Sequence, residues 1–161
     1  MTARTHAYDV LVTWTGNRGV GTAGYGTYGR DHESVAGQAP VLLGSADPAF
    51  RGDPARWNPE QVLVAALAQC HLLWYLHLAA EAGVIVTAYT DDALGSMAEN
   101  RSGAGEFTQV TLRPTVTITP ESDPVAAASL HDRAHEMCFI ARSVAFPVHH
   151  EPRIVSEPQL P

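Results

Sequence analysis

Two residues in this chain have side chains able to act as nucleophiles of high reactivity, Cys70 and Cys138, and there is no third cysteine. A thiolate attacks electrophiles and binds metals, and two thiols brought together can store two electrons as a disulfide. A stable structural disulfide is unusual inside a cell, so this pair is either inert packing or a working redox couple. Taken singly, each cysteine is accounted for as a small buried hydrophobe. Reactivity would require a partner, because apolar burial disfavours the thiolate and a position in mid-helix gains little from the helix dipole. The chain has no lysine, so the cation would be an arginine or a protonated histidine. Arg30 lies in a polar, glycine-flanked loop, while Arg51 and Arg56 are nearer in sequence to an acidic residue, Glu60.

The element that must position Cys70 is a long central helix, predicted over residues 58–82. Asn58 is a good N-cap, Pro59 suits the first helical position, and Gln61 falls where it completes a capping box. Val62 to Ala80 is apolar around the whole helical wheel except at Gln69, Cys70, His71 and His77, and Gly83 supplies a stop. Such a helix is buried in protein. Leu67, Leu73 and Trp74 share the Cys70 face and Trp57 precedes the helix, so these four are candidate walls of an apolar pocket. Glu60 stands ten residues before Cys70, about 15 Å of rise and roughly 80° away around the axis. It cannot reach Cys70 on its own helix. Either an arginine spans the gap or Glu60 serves a site in a second subunit, the favoured reading.

Around this helix the chain reads as α+β, an antiparallel sheet packed over two helices. Residues 8–14 alternate as a first strand, the glycine-rich stretch from Gly16 to Gly29 suggests a hairpin into a short strand at Tyr25 to Tyr28, and Gly29 to Glu33 reads as a polar loop. A third strand is expected near 40–43, with one turn at Asp47 to Phe50. After the helix, a strand is expected over 84–90, extending toward Met97. The clearest strand runs over 109–119, with Val110, Leu112, Pro114, Val116 and Ile118 on its dry face, and Pro114 argues for an edge or a bulge. Asp123-Pro124 opens a second helix, predicted over 124–141, with a stripe of Leu130, Ala134, Met137, Cys138 and Ala141. A last strand covers 144–155.

The length of 161 residues predicts one domain. A formal charge of −7 with no basic stripe excludes nucleic acid and anionic lipid as partners. The first ten residues hold no apolar core of a secretory signal, which makes the cytoplasm the expected compartment. The apolar run from Val62 to Ala80 lacks flanking positive charge, so a membrane is not expected either.

The pattern Asn58-Pro59-Glu60-Gln61, then Ala68-Gln69-Cys70-His71, then His135 three residues before Cys138 on a second helix, resembles the OsmC/Ohr family of thiol peroxidases. The resemblance extends from about Tyr8 to Val155. It implies that Cys70 is the peroxidatic nucleophile, that Cys138 resolves it to a disulfide, and that an arginine paired with Glu60 activates the thiolate, a role that falls on Arg30. It also implies an intertwined homodimer, an organic hydroperoxide as substrate, an external dithiol as reductant, and no cofactor. Cys138 is followed by Phe139 where the best-known members have proline, and Gln69 and His71 flank the nucleophile, which places the chain closer to the OsmC-like branch than to the Ohr branch.

Other classes compete. His131 and His135, spaced i and i+4, with Cys138 following could present three metal ligands on one helix face. A ligand-binding dimer that has lost turnover would keep the fold. A cysteine hydrolase is disfavoured, since no helix N-terminus activates the thiol.

Overall fold

The structure is a computed structural model that describes residues 4–158. The chain divides after Val62 into two compact units. The first holds a three-stranded antiparallel sheet of β1 (Leu11–Trp14), β2 (His32–Val35) and β3 (Leu42–Gly44), in that order. Its register runs from Leu11 opposite Val35 to Trp14 opposite His32. The strand expected at Tyr25 to Tyr28 is absent, and the stretch read as a polar loop supplies β2 instead. The reason is local: Arg30 donates from Nη1 to the Tyr28 carbonyl at 2.6 Å and from Nη2 to the Tyr25 carbonyl at 2.8 Å, holding those carbonyls out of any ladder. Asp47 caps a short 3-10 turn over Pro48–Phe50 by accepting from the Ala49 N–H at 2.8 Å.

Helix α1 (Pro59–Glu81) begins as its capping residues dictate. Asn58 Oδ1 accepts from the Gln61 N–H at 2.8 Å, and Gln61 Oε1 accepts from the Asn58 N–H at 3.3 Å. The reciprocal pair satisfies two otherwise unpaired donors. Gly83 ends the helix at a φ of +72°, which a residue with a Cβ adopts only at a cost, and the Val84 N–H returns to the Ala79 carbonyl at 2.9 Å.

In the second unit, β4 (Val86–Asp91), β7 (Pro114–Ile118) and β9 (Arg153–Ser156) form one sheet in the order β4-β7-β9. β5 (Leu94–Glu99), β6 (Gly105–Leu112) and β8 (Val148–His150) form another in the order β5-β6-β8. The pairs β4–β7 and β5–β6 are antiparallel, whereas β6–β8 and β7–β9 are parallel, so the sheets are mixed. Three strands expected as single elements are each two. The clearest case is 109–119, which breaks at Arg113 and sends its halves to different sheets. Pro114 has no N–H to continue a ladder, and the Arg113 N–H turns aside to Asp91 Oδ1 at 2.7 Å. Pro114 nevertheless opens a central strand, not an edge. The alternation itself is present: Val110, Leu112, Val116 and Ile118 are buried, and Pro114 with them.

Helix α2 (Pro124–Met137) is opened by Asp123, whose side chain accepts from the Val125 N–H at 2.8 Å. It stops four residues short of the predicted end, because Cys138 adopts an extended backbone with φ −66° and ψ 109°. Met137, expected in the apolar stripe, is exposed. One core joins Tyr75, Leu78 and Ala79 of α1 to Val116 and Ile118 of β7 and to Ala127, Leu130 and Ala134 of α2. A second, smaller one joins Leu67 to Val110 and Leu112.

Candidate active site

Cys138 is the residue at which α2 ends, and that termination decides its surroundings. Its N–H donates to the His135 carbonyl at 3.2 Å, and the Ala141 N–H donates to Cys138 Sγ at 3.4 Å. The side chain is almost wholly buried, while Cys70 in the middle of α1 is partly exposed, and both are free thiols. Burial pushes the Cys138 thiol up to about 11; the Ala141 N–H works against this, and the hydrogen bond and charge of the neighbouring Cys70 add to it. The thiol in the middle of α1 and the thiol just past the end of α2 are therefore neighbours. An arrangement of this kind can pass from dithiol to disulfide without unfolding.

A second contact joins the same two segments. Trp74, one turn beyond Cys70, meets Phe139, next to Cys138, edge to face with ring centroids 5.5 Å apart. By sequence, Phe139 marks only a departure from the family pattern. Its exposure of 65% leaves it free to meet a ligand. Leu73 is also largely exposed, and so is Trp57 in the first unit. Leu67 is not available: it has no exposed surface and packs against Val110 and Leu112, so it is a core residue, not a pocket wall.

The charged candidates lie in the first unit or at its end. Glu60 occupies the first turn of α1, where the helix dipole favours a carboxylate, and its Oε2 is buried with no hydrogen-bond partner. Arg30 is committed locally, to the two tyrosine carbonyls and to the Tyr25 and Tyr28 rings, whose centroids lie 4.3 and 4.1 Å from its guanidinium carbon. Arg51 sits in a left-handed backbone conformation with its guanidinium carbon 5.8 Å from the Tyr25 ring centroid. Arg56 has its Nε 3.9 Å from Asp31 and 3.8 Å from Asp53, and its Nη1 is buried and unpaired.

The three-ligand face of His131, His135 and Cys138 does not form. His131 turns inward, stacked on Tyr75 with centroids 4.1 Å apart, and Cys138 has left the helix. Among the described residues no three His, Cys, Asp or Glu side chains are arranged to hold a metal ion. Missed by the sequence reading is a histidine group inside the second unit, in which His71 Nε2 lies 2.9 Å from His131 Nδ1 and the two rings stack. Burial, then the nearby His150 and His135, hold His71 down to about 4; burial, then His71 and His150, hold His131 down to about 3. The i and i+4 histidines were a visible signal for part of this group. The share of His150 depends on where β8 docks.

Residues 52–153 match the model of the family described as OsmC-like protein. Among solved structures, an OsmC-like protein of unknown function from Vibrio cholerae is 34% identical, with a TM-score of 0.82 over 92% of this chain and 99% of that one. An OsmC-like protein from Mycoplasma pneumoniae superposes with a TM-score of 0.71 at 15% identity, covering 94% and 99% of the two chains. An organic hydroperoxide resistance protein from Elizabethkingia anophelis does so with a TM-score of 0.68 at 12% identity, covering 97% and 100%. No curated protein matches.

Proposed function

This chain belongs to the OsmC-like protein family, and from that membership we propose that it is a cysteine-based peroxidase that reduces organic hydroperoxides to alcohols in an oxidative stress response. The observation that carries the reading is that two free thiols, Cys70 and Cys138, stand on segments joined by the Trp74–Phe139 contact, with Cys70 close enough to raise the Cys138 thiol. The Cys70 thiolate attacks the distal oxygen of the hydroperoxide; the O–O bond breaks, the alkoxide leaves and takes up a proton, and the sulfur is left as a sulfenic acid. Cys138 then attacks that sulfur. Hydroxide leaves, takes the Cys138 proton to become water, and the disulfide is returned to two thiols by an external dithiol.

The two thiols fit different tasks. Cys70 is the one a substrate can reach, whereas Cys138 is shielded and held protonated until the sulfenic acid forms beside it. Trp74, Leu73 and Phe139 offer the apolar surface that suits a lipophilic peroxide. Glu60 and an arginine activate the thiolate; Arg30 has this role by family resemblance, and the buried, unpaired Arg56 Nη1 favours Arg56 as its competitor. Helical rise keeps Glu60 from touching Cys70 on one helix, and of the two arrangements this allows, an arginine spanning the gap or a carboxylate from a second subunit of a homodimer, we favour the second. Much of α1 supports a second copy: only Leu67, His71, Tyr75, Leu78 and Ala79 of its 23 residues are buried, although the helix is apolar all round. No charge pattern calls for nucleic acid or lipid, and the cytoplasm supplies the reductant.

The test is consumption of cumene hydroperoxide in the presence of a dithiol. Wild type should turn over and Cys70→Ser should not. Turnover that survives Cys70→Ser overturns the mechanism, and no consumption by wild type with any dithiol leaves the ligand-binding dimer as the better reading.

A further inference from the structure

Four histidines that the peroxidase chemistry does not use stand together in the second unit, drawn from three elements. His71 of α1 and His131 of α2 have no exposed surface, and their planes lie within 10° at a centroid distance of 5.2 Å. His150 of β8 stacks against both, at 5.7 and 6.3 Å, and His135, one turn beyond His131, is 5.5 Å from His150. The bond between His71 Nε2 and His131 Nδ1 needs one donor and one acceptor, so it exists only while at least one ring is neutral. Four ring nitrogens of the group, Nδ1 of His71, His135 and His150 and Nε2 of His131, are buried without a partner. Buried polar groups in folded proteins are nearly always paired, so four together require an explanation other than packing.

The ligand must be small. The His71 and His131 rings, with no exposed surface, admit nothing larger than an ion, and no three ligating side chains among the described residues converge on a point. The proton remains. We propose that His71, His131 and His150, with His135 packed beside them, form a proton-binding latch, which holds β8 against α1 and α2 while these three rings are neutral and releases β8 when they become charged.

The surroundings set the direction. From α1 the cluster is faced by His71 and Tyr75; from α2 by His131, His135 and Asp132; from β8 by His150, with His149 beside it. Among the described residues, the carboxylate paired with the cluster is Asp132, whose Oδ1 is 3.5 Å from His150 Nε2, and it is largely exposed. A first proton on His150 therefore has a counter-charge. A second, on His71 at 5.7 Å or His131 at 6.3 Å, has none and is repelled. Burial and mutual repulsion hold His71 near 4 and His131 near 3, below the 6.5 of a free imidazole. An opened chain thus binds protons that the closed cluster refuses. Closure is fully favoured above about pH 6.5 and weakens as the pH falls toward 4. β8 is the element that yields, because it has three residues and lies at the edge of its sheet, bonded to β6 alone. Its release frees the chain beyond Cys138 and so uncouples the second thiol from the first, whatever reaction the pair performs.

Hydrogen exchange of the reduced full-length protein, followed by mass spectrometry at pH 7.5 and pH 5.0 with times corrected for intrinsic exchange, tests this. Peptides covering residues 144–156 should lose at least tenfold in protection at the lower pH while α1 peptides do not. His150→Gln, which removes one proton taken up on opening and one source of repulsion, should lose clearly less protection between the two pH values than the wild type does. A second readout guards against a variant that is merely unstable: in the native protein, the NMR ring shifts of His71 and His131 should remain those of neutral imidazole down to about pH 5. Unchanged protection of residues 144–156 in wild type, a uniform loss across all peptides, or titration of both rings near 6.5 overturns the proposal.

Discussion

At the scale of single residues, the two cysteines are distinguished by position. Cys70 lies mid-helix and partly open, and Cys138 is buried at a helix end with its thiol raised to about 11. A protonated, shielded thiol is a poor first nucleophile and a good second one, since the departing hydroxide of a neighbouring sulfenic acid removes its proton. Cys138→Ser should therefore still react once with cumene hydroperoxide but stop there. The expected result is a stable sulfenic acid at Cys70, trapped by dimedone and located by mass spectrometry, with multiple turnover reduced by at least tenfold. Continued fast turnover with a dithiol would remove Cys138 from the cycle. The arginines teach a complementary lesson. Arg30 is the choice of the family pattern, yet two of its five N–H donors and its π contacts go to Tyr25 and Tyr28, whereas Arg56 retains a buried unpaired nitrogen.

At the scale of elements, both helices start where their capping side chains say they should, because a cap is a local hydrogen bond between residues two or three apart. Asp123 accepts from the Val125 N–H at 2.8 Å, and its loss leaves a helix donor unsatisfied. Asp123→Ala should cost about 1 kcal/mol, seen as a lower urea midpoint at unchanged slope; no change would show that the cap is replaced by water at no cost. Helix and strand ends on the other side were less legible. α2 stops at Met137 because Cys138 turns extended, and the strand over 109–119 divides because Pro114 breaks the ladder and the two halves find different partners. Neither outcome follows from periodicity, which is the same on both sides of Pro114.

At the scale of the whole molecule, much apolar surface is left uncovered in one chain. Tyr8, Val10, Leu11 and Val12 of the first unit are each more than 60% exposed, and so is Leu73 of α1. Burial of such surface is the main driving force for association. A homodimer with Glu60 and Cys70 contributed by different subunits makes a quantitative prediction. Mixing Cys70→Ser and Glu60→Gln chains by co-refolding should produce heterodimers in which one of two sites is intact, so that about a quarter of wild-type activity returns at random pairing. Two inactive parents that stay inactive when mixed, in a preparation shown by sedimentation to be dimeric, would place Glu60 and Cys70 in the same chain or remove Glu60 from the site.

The amino-acid sequence alone determined the two capped helices, the buried alternation from Val110 to Ile118 and the spacing from Glu60 to Cys70, because caps, periodicity and helical rise are set by residues close together in the chain. The same local patterns made the family resemblance readable. What only the tertiary structure decided is which distant groups meet. Cys138 reaches Cys70 because α2 ends where it does, Leu67 is lost to the core because β6 lies against it, and His150 joins His71 and His131 because β8 pairs in parallel with β6. Those outcomes depend on packing between segments tens of residues apart, whose free energy is shared among many side chains and is written in no single one of them.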